Sequence, residues 1–144
     1  MPLLKIWIHF VWATKNRAPL LTKESRHLLF AHIKEEGIKK GIHVDFVNGH
    51  VDHAHALISL NAVQTIAAVA QSLKGESAFW ANKHNVFKQK ISWQDDYFAV
   101  SVSESAVNKV REYIKNQEAH HETKTFQQEY EEFVEKYGFE RMKG

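Results

Sequence analysis

The sequence predicts one α+β domain: a ferredoxin-like antiparallel sheet, similar to that of an RNA recognition motif, with helices packed on one face and more helices at the C-terminal end. Three observations carry this expectation. Apolar and polar residues alternate over four short segments, around residues 3–13, 42–47, 53–60 and 98–102, which is the period of a strand with one face in a core. Helical spacing fills the intervals after the first and third segments. The resulting order, strand, helix, strand, strand, helix, strand, is met most simply by the split β-α-β arrangement. Finally, 144 residues allow one good core and not two, so the expected domain spans 1–144.

Each element has its own signal. Residues 3–13 put Leu4, Ile6, Ile8, Phe10 and Trp12 on one face and Lys5, Trp7 and His9 on the other. After the cationic turn TKNRAP, Thr22 opens a helix with Glu24 and Ser25 in its first turn and Leu28, Leu29, Ile33 and Ile38 as apolar positions. Gly41 ends it, as a C-terminal glycine commonly does. Ile42, Val44 and Phe46 then alternate with His43, Asp45 and Val47, and the short connection from Gly49 to Asp52 predicts an antiparallel hairpin. The strand it leads into lies in NGHVDHAHALISL, residues 48–60, with His53 and His55 on one face and Ala54, Ala56, Ile58 and Leu60 on the other.

Over residues 63–82 the spacing of Ile66, Val69, Ala70 and Leu73 is helical. Gly75 within it costs about 1 kcal/mol relative to Ala, so it marks a close approach or a break. A basic segment, 83–94, anchored by Trp93, precedes the strand of Phe98, Val100 and Val102. Ser103 then caps a helix carrying Val107, Val110, Tyr113, Ile114 and Gln117. Thr125 and Gln128 make a capping box for a last helix, whose stripe of Phe126, Tyr130, Phe133, Val134 and Tyr137 stops at Gly138.

Composition narrows the function. With no cysteine there is neither a disulfide framework nor thiolate chemistry, which fits a reducing cytoplasm, and any metal must use His, carboxylate or amide. No apolar run approaches the roughly 20 residues that span a bilayer. The first residues alternate as a strand and lack a small-residue cleavage site, so no signal peptide is expected. Residues 1–91 hold twelve Lys and Arg against six Asp and Glu, whereas residues 92–144 hold seven against eleven. The basic front permits phosphate-backbone binding without demanding it.

Chemistry centres on the histidine strand. His53 and His55 point the same way, roughly 6 to 7 Å apart along the backbone, close enough for two imidazoles to share one metal ion. On the predicted sheet the same open face collects His9, His43 and Asp45. The plainer reading of the pair is polar residues on the wet face of a half-buried strand. Tyr113 and Gln117, spaced i and i+4, share a helix face; alone, they would read as a core tyrosine and a solvated glutamine.

Together, these residues carry a resemblance. HAH on a strand, YIKNQ on a late helix, TKNR after the first strand, SLKG in the second helix, WQDDYFAVSVS, and NQEAHH followed by F and EY resemble the HUH single-strand tyrosine transposases of small bacterial and archaeal insertion sequences, the IS200-like transposases. The REP-associated tyrosine transposases are relatives. The likeness runs from about Ile6 to Gly138. One departure is Asp96, where many relatives have Gly in a WQxGY pattern, which leaves the local turn open.

The resemblance implies that His53, His55 and Gln117 hold one Mg²⁺ or Mn²⁺. It implies that Tyr113 attacks the scissile phosphate to give a 5′-phosphotyrosine and a free 3′-hydroxyl, so strands can be rejoined without ATP. It further implies single-stranded DNA hairpins at element ends as substrate, and a homodimer whose tyrosine helix acts in trans. Lys15, Arg17, Lys74, Lys83, Lys88 and Lys90 are candidates for phosphate contacts, and Trp7 or Trp93 for stacking on an unpaired base. His120 and His121 either assist the site or are surface histidines at a helix end. The alternatives are a domesticated REP-associated transposase, an HUH replication initiator or relaxase, and a non-catalytic ferredoxin-like nucleic-acid-binding module.

Overall fold

In a computed structural model, residues 2–139 and Met142 are described; Met1, Glu140, Arg141, Lys143 and Gly144, at the ends of the expected 1–144 domain, lie outside the described residues. The four alternating segments form β1 (Trp7–Ala13), β2 (His43–Gly49), β3 (His53–Ser59) and β4 (Phe98–Val102). They pair in the order β2-β3-β1-β4, antiparallel throughout, so the ferredoxin-like expectation holds. Helices α1 (Lys23–Lys39) and α2 (Ile66–Lys83) connect them, and α3 (Val107–Lys115), α4 (Gln117–Thr123) and α5 (Phe126–Tyr137) follow. No described helix is long and apolar enough to cross a membrane.

The central strand β1 is buried along its whole length because both sheet faces are covered. Ile8, Phe10 and Trp12, with Ala54, Ala56 and Ile58, pack against Leu29, Phe30 and Ile33 of α1 and Val69, Ala70 and Leu73 of α2. His32 on α1 ties the two helices together, stacked 3.9 Å from Trp80 and bonded to Glu76. On the other face Trp7 and Leu57 meet Val107 and Ile114 of α3, while Val11 and Ala13 meet Phe126 of α5. The C-terminal helices therefore roof the face that carries the histidines.

Local signals account for most element ends. Thr125 accepts from the Gln128 N–H in the expected capping box, and Gly138 ends α5 at φ 58°. Gly41 likewise follows α1 at φ 81°. At Gly49 the need is space: a Cβ there would lie 2.1 Å from the carbonyl oxygen of His53. Gly49→Ala is therefore expected to destabilise the fold by about 3 kcal/mol, in the range of overpacked sites, read as a lower urea midpoint; an unchanged midpoint would show that the hairpin can open at no cost.

Several expectations need correction. A bulge between Val44 and Phe46 shifts the register, so Phe46 joins Trp7 and Leu57 on the histidine side while Val47 packs with the α1/α2 core. Leu4 and Ile6 precede β1 and are exposed, as are Leu28 and Ile38 on α1. Gly75 marks neither a break nor a close approach: α2 runs through it and nothing lies within 4 Å of a Cβ placed there. The expected single helix over Tyr113 and Gln117 is interrupted at Asn116 (φ −93°, ψ 22°), so Gln117 begins α4.

Candidate active site

The hairpin places His53 and His55 at the centre of the sheet, opposite Ala13 and Val11 of β1, and both imidazoles are wholly buried. Their Nε2 atoms converge on Oε1 of Glu129, at 3.3 and 3.2 Å. Oε1 of Gln117 lies 3.0 Å from Nε2 of His53. Tyr113 donates its hydroxyl to Oε2 of Glu129. One strand and three helices thus bring together Tyr113, Gln117 and the histidine pair, despite the break at Asn116, and add Glu129, which sequence reasoning missed. Its only signal was the EY pair after NQEAHH; a carboxylate in the first turn of a helix otherwise reads as a complement to the helix dipole.

Anchors hold the tyrosine helix over the sheet. Arg111 clasps Asp45 through Nε and Nη2, at 2.8 and 2.9 Å. Asn48 donates to the carbonyls of Ile114 and Lys115, and Arg26, itself buried, reaches Glu118 at 3.0 Å. His121 donates Nδ1–H to the Lys124 carbonyl and lies with Nε2 3.6 Å from Glu129. His120 packs its ring 4.6 Å from that of Tyr113. Both histidines therefore belong to the site and not to a free helix end.

Burial dominates the electrostatics, and partners decide its outcome. Burial, with His55 beside it, pushes the pKa of His9 down to about 3. Burial lowers that of His55 to about 4, against the pull of Glu129. At His53 the burial is outweighed by the hydrogen bonds and charges of Asp52 and Glu129, so its pKa is raised. Glu129 is held far below the usual carboxylate range because its bonds to His121, His53 and His55 overcome burial. Burial and the Glu129 charge push the Tyr113 phenol well above its ordinary value.

The neutral histidines imply acid sensitivity. His9 and His55 bind a proton more readily unfolded than folded, so their contribution is present above pH 6.5 and is lost as pH falls towards 3 to 4. From pH 7 to 5 each loses about 2 kcal/mol, while His53, with its raised pKa, offsets part of this. His9→Phe should make the fall in urea midpoint between pH 7 and 5, measured with chelator, visibly shallower; an equal fall in both proteins would contradict the assignment.

The donor set suits a divalent ion. Asp52 Oδ1 lies 2.8 Å from Nδ1 of His53, and a carboxylate can only accept, so Nδ1 carries the proton. The Nε2 lone pair of a neutral His53 then faces two oxygens, of Gln117 and Glu129, an arrangement that needs either a further proton or a cation. The ligand atoms of His53, His55 and Glu129 lie within 4.8 Å of one another, and this buried group can hold a metal ion through imidazole and carboxylate, with the Gln117 amide oxygen adjacent.

The DNA-contact candidates differ in how far they are engaged within the chain. Lys15, Lys83, Lys88 and Lys90 are exposed. Arg17 stacks over Phe126 and Tyr130 of α5, at 5.3 and 5.1 Å. Lys74 donates to the carbonyls of Gln94 and Asp95, at 2.6 and 2.9 Å, and so braces the turn before β4. That turn uses no left-handed backbone at Asp96, which explains why Gly is dispensable there. Trp7 and Trp93 are buried, which removes them as free stacking platforms. His43 and Asp45 lie on the edge strand, against Trp7 and Arg111, not in the centre with His9.

A buried histidine pair on a ferredoxin-like sheet, faced by a tyrosine and a glutamine from later helices, defines an HUH-type architecture. The family model described as "Transposase IS200 like" matches residues 3–117, and the chain belongs to that family. Two solved structures agree. A candidate transposase from Deinococcus radiodurans R1 is 28% identical with a TM-score of 0.62, covering 81% of this chain and 93% of its own. A REP-associated tyrosine transposase bound to a REP hairpin shares the fold at 14% identity and a TM-score of 0.60, covering 84% and 72%. No curated protein matches the sequence.

Proposed function

We propose that this transposase cuts and rejoins single-stranded DNA through a 5′-phosphotyrosine on Tyr113, with Mg²⁺ or Mn²⁺ held by His53, His55 and Gln117, and with hairpins at element ends as its substrate. The observation that supports this most is the meeting of the Tyr113 hydroxyl and the two Nε2 atoms at one buried carboxylate, with the Gln117 amide oxygen against Nε2 of His53. An ion held by these residues would supply Lewis-acid polarisation of the scissile phosphate. The chain supplies the rest. Tyr113 is kept protonated at rest, and its donation to Oε2 of Glu129 fixes where the phenol oxygen sits. The anchors from Asp45, Asn48 and Arg26 fix the phenol's approach. Lys15, Arg17, Lys74, Lys83, Lys88 and Lys90 remain proposed DNA contacts, Lys74 by bracing the 94–97 turn. A non-catalytic module binding through its sheet is disfavoured because α3 to α5 cover that face. A cytoplasmic location with access to DNA follows from this reading.

The test is incubation with labelled single-stranded hairpin DNA and Mn²⁺, followed by denaturing electrophoresis. A protein–DNA adduct is expected; binding without any adduct would favour the non-catalytic module.

Joining two DNA ends needs two nucleophiles, so the proposal includes a homodimer with Tyr113 acting in trans. Within one chain Tyr113 lies beside its own histidines; exchanging α3 to α5 between two chains would preserve every such contact and couple the sites. Mixing a His53→Ala, His55→Ala chain with a Tyr113→Phe chain should then restore adduct at one hybrid site, on the subunit that keeps Tyr113. No restoration in mixtures shown to exchange subunits would return both residues to one chain.

A further inference from the structure

The reading above leaves one buried group at the centre of the site without a role. His9 lies on β1, only 5% exposed, with its Nε2 2.9 Å from Nδ1 of His55 and its ring stacked 5.1 Å from the same imidazole at 29°. We infer that His9 is a positioning residue: its Nε2 accepts the Nδ1–H of His55 and holds that ring in the tautomer whose Nε2 lone pair faces the point where His53 and Glu129 converge. This rests on the proposal that His53 and His55 hold a metal ion.

The inference follows from proton placement. A neutral imidazole carries one N–H, and the nitrogen that gives its lone pair to an ion forces that hydrogen onto the other. At His53 the other nitrogen meets Asp52 at 2.8 Å. At His55 it meets His9. The two ligands are thus oriented by different partners, one a carboxylate on the hairpin turn and the other an imidazole on the neighbouring strand. Register explains why position 9 serves: His55 pairs with Val11 across the β1/β3 ladder, and residue 9 is the diagonal neighbour on the same face. His9 accepts only as a neutral imidazole, the form that its burial in the site favours; an imidazolium would set N–H against N–H. A carboxylate can only accept, whereas an imidazole can also donate. Without an ion, His55 can therefore turn its N–H towards Glu129, 3.2 Å away, while His9 reverses polarity and donates to Nδ1. The same pair satisfies both states without a change in net charge.

A space-filling role would be met by any aromatic ring, since Phe133 already packs 6.1 Å from His9. The test therefore compares His9→Phe, which keeps a ring and removes the acceptor, with His9→Gln, whose Oε1 can take the place of Nε2. Calorimetry with Mn²⁺ and DNA-free protein should show affinity weakened about 10-fold or more in His9→Phe, the usual effect of losing a ligand's outer hydrogen-bond partner, and largely recovered in His9→Gln. A folded His9→Phe protein with Mn²⁺ affinity within about twofold of the parent would overturn the inference, as would a His9→Gln protein no better than His9→Phe. Should His9→Phe fail to fold, long-range ¹H–¹⁵N spectra of the unaltered protein decide: with Mg²⁺ bound, His55 must carry its proton on Nδ1, and a proton on Nε2 overturns the role. His53→Ala separates the two readings. If it too leaves Mn²⁺ affinity unchanged, the metal proposal fails; if it removes binding while His9→Phe does not, only the role of His9 fails.

Discussion

Tyr113→Phe is expected to abolish the proposed covalent protein–DNA adduct, by on the order of 10⁴-fold or more as for loss of a nucleophile, while hairpin binding should stay within about threefold. Only one oxygen is removed. The ring keeps its contacts with His55 and His9, at centroid distances of 5.7 and 6.2 Å, so the helix stays in place. Glu129 loses the hydroxyl donor but retains His53, His55 and His121 around Oε1, which limits the loss of stability to about 1 kcal/mol. The measurement is denaturing electrophoresis of labelled DNA beside a band-shift titration of the same hairpin. A heat-stable adduct in the Phe protein would move the nucleophile elsewhere. Tyr97, the tyrosine of the WQDDYFAVSVS stretch, is not placed to take over, because it packs against Phe10 on the α1/α2 side of the sheet.

Replacing His53 and His55 together by alanine should remove both Mn²⁺ binding and metal-dependent cleavage. What remains, Glu129 and Gln117, is too few ligands for a hard, well-hydrated ion. The fold also suffers, because Glu129 is fully buried and its low pKa depends on these hydrogen bonds. Stripping partners from a buried charge costs about 3 kcal/mol or more. Calorimetry and urea unfolding read the two effects separately, and unchanged Mn²⁺ affinity in a folded double variant would end the metal assignment. Gln117→Ala should be milder, about tenfold in metal affinity, because a neutral amide oxygen is the weakest of the proposed ligands.

The residues themselves show how far the sequence reached. Alternation in residues 3–13 and 53–60, the hairpin at 49–52, the helix start at Thr22, the capping box at Thr125 and the glycine stops at 41 and 138 are local properties, set by strand and helix periods and by backbone sterics over a few residues. They suffice for the order of elements along the chain and for the shared face of His53 and His55, and that pair, with the spacing of Tyr113 and Gln117 and the shorter motifs around them, carried the family likeness. Glu129 was not legible, because an acid in a first helical turn is ordinary until α5 is seen lying across β3. Nor was the partnership of His9 with His55, which needs the β1/β3 register, or the engagement of Lys74 with the carbonyls of a turn twenty residues on. The bulge after Val44 was equally hidden, since alternation in β2 continues through it on paper. Periodicity reports which side of its own element a residue occupies. Which elements then share a face is decided by contacts 46 to 74 positions apart, as between His9 and His55 or His55 and Glu129; there burial turns solvated acids and imidazoles into a coupled site, and only the tertiary structure brings them within reach of one another.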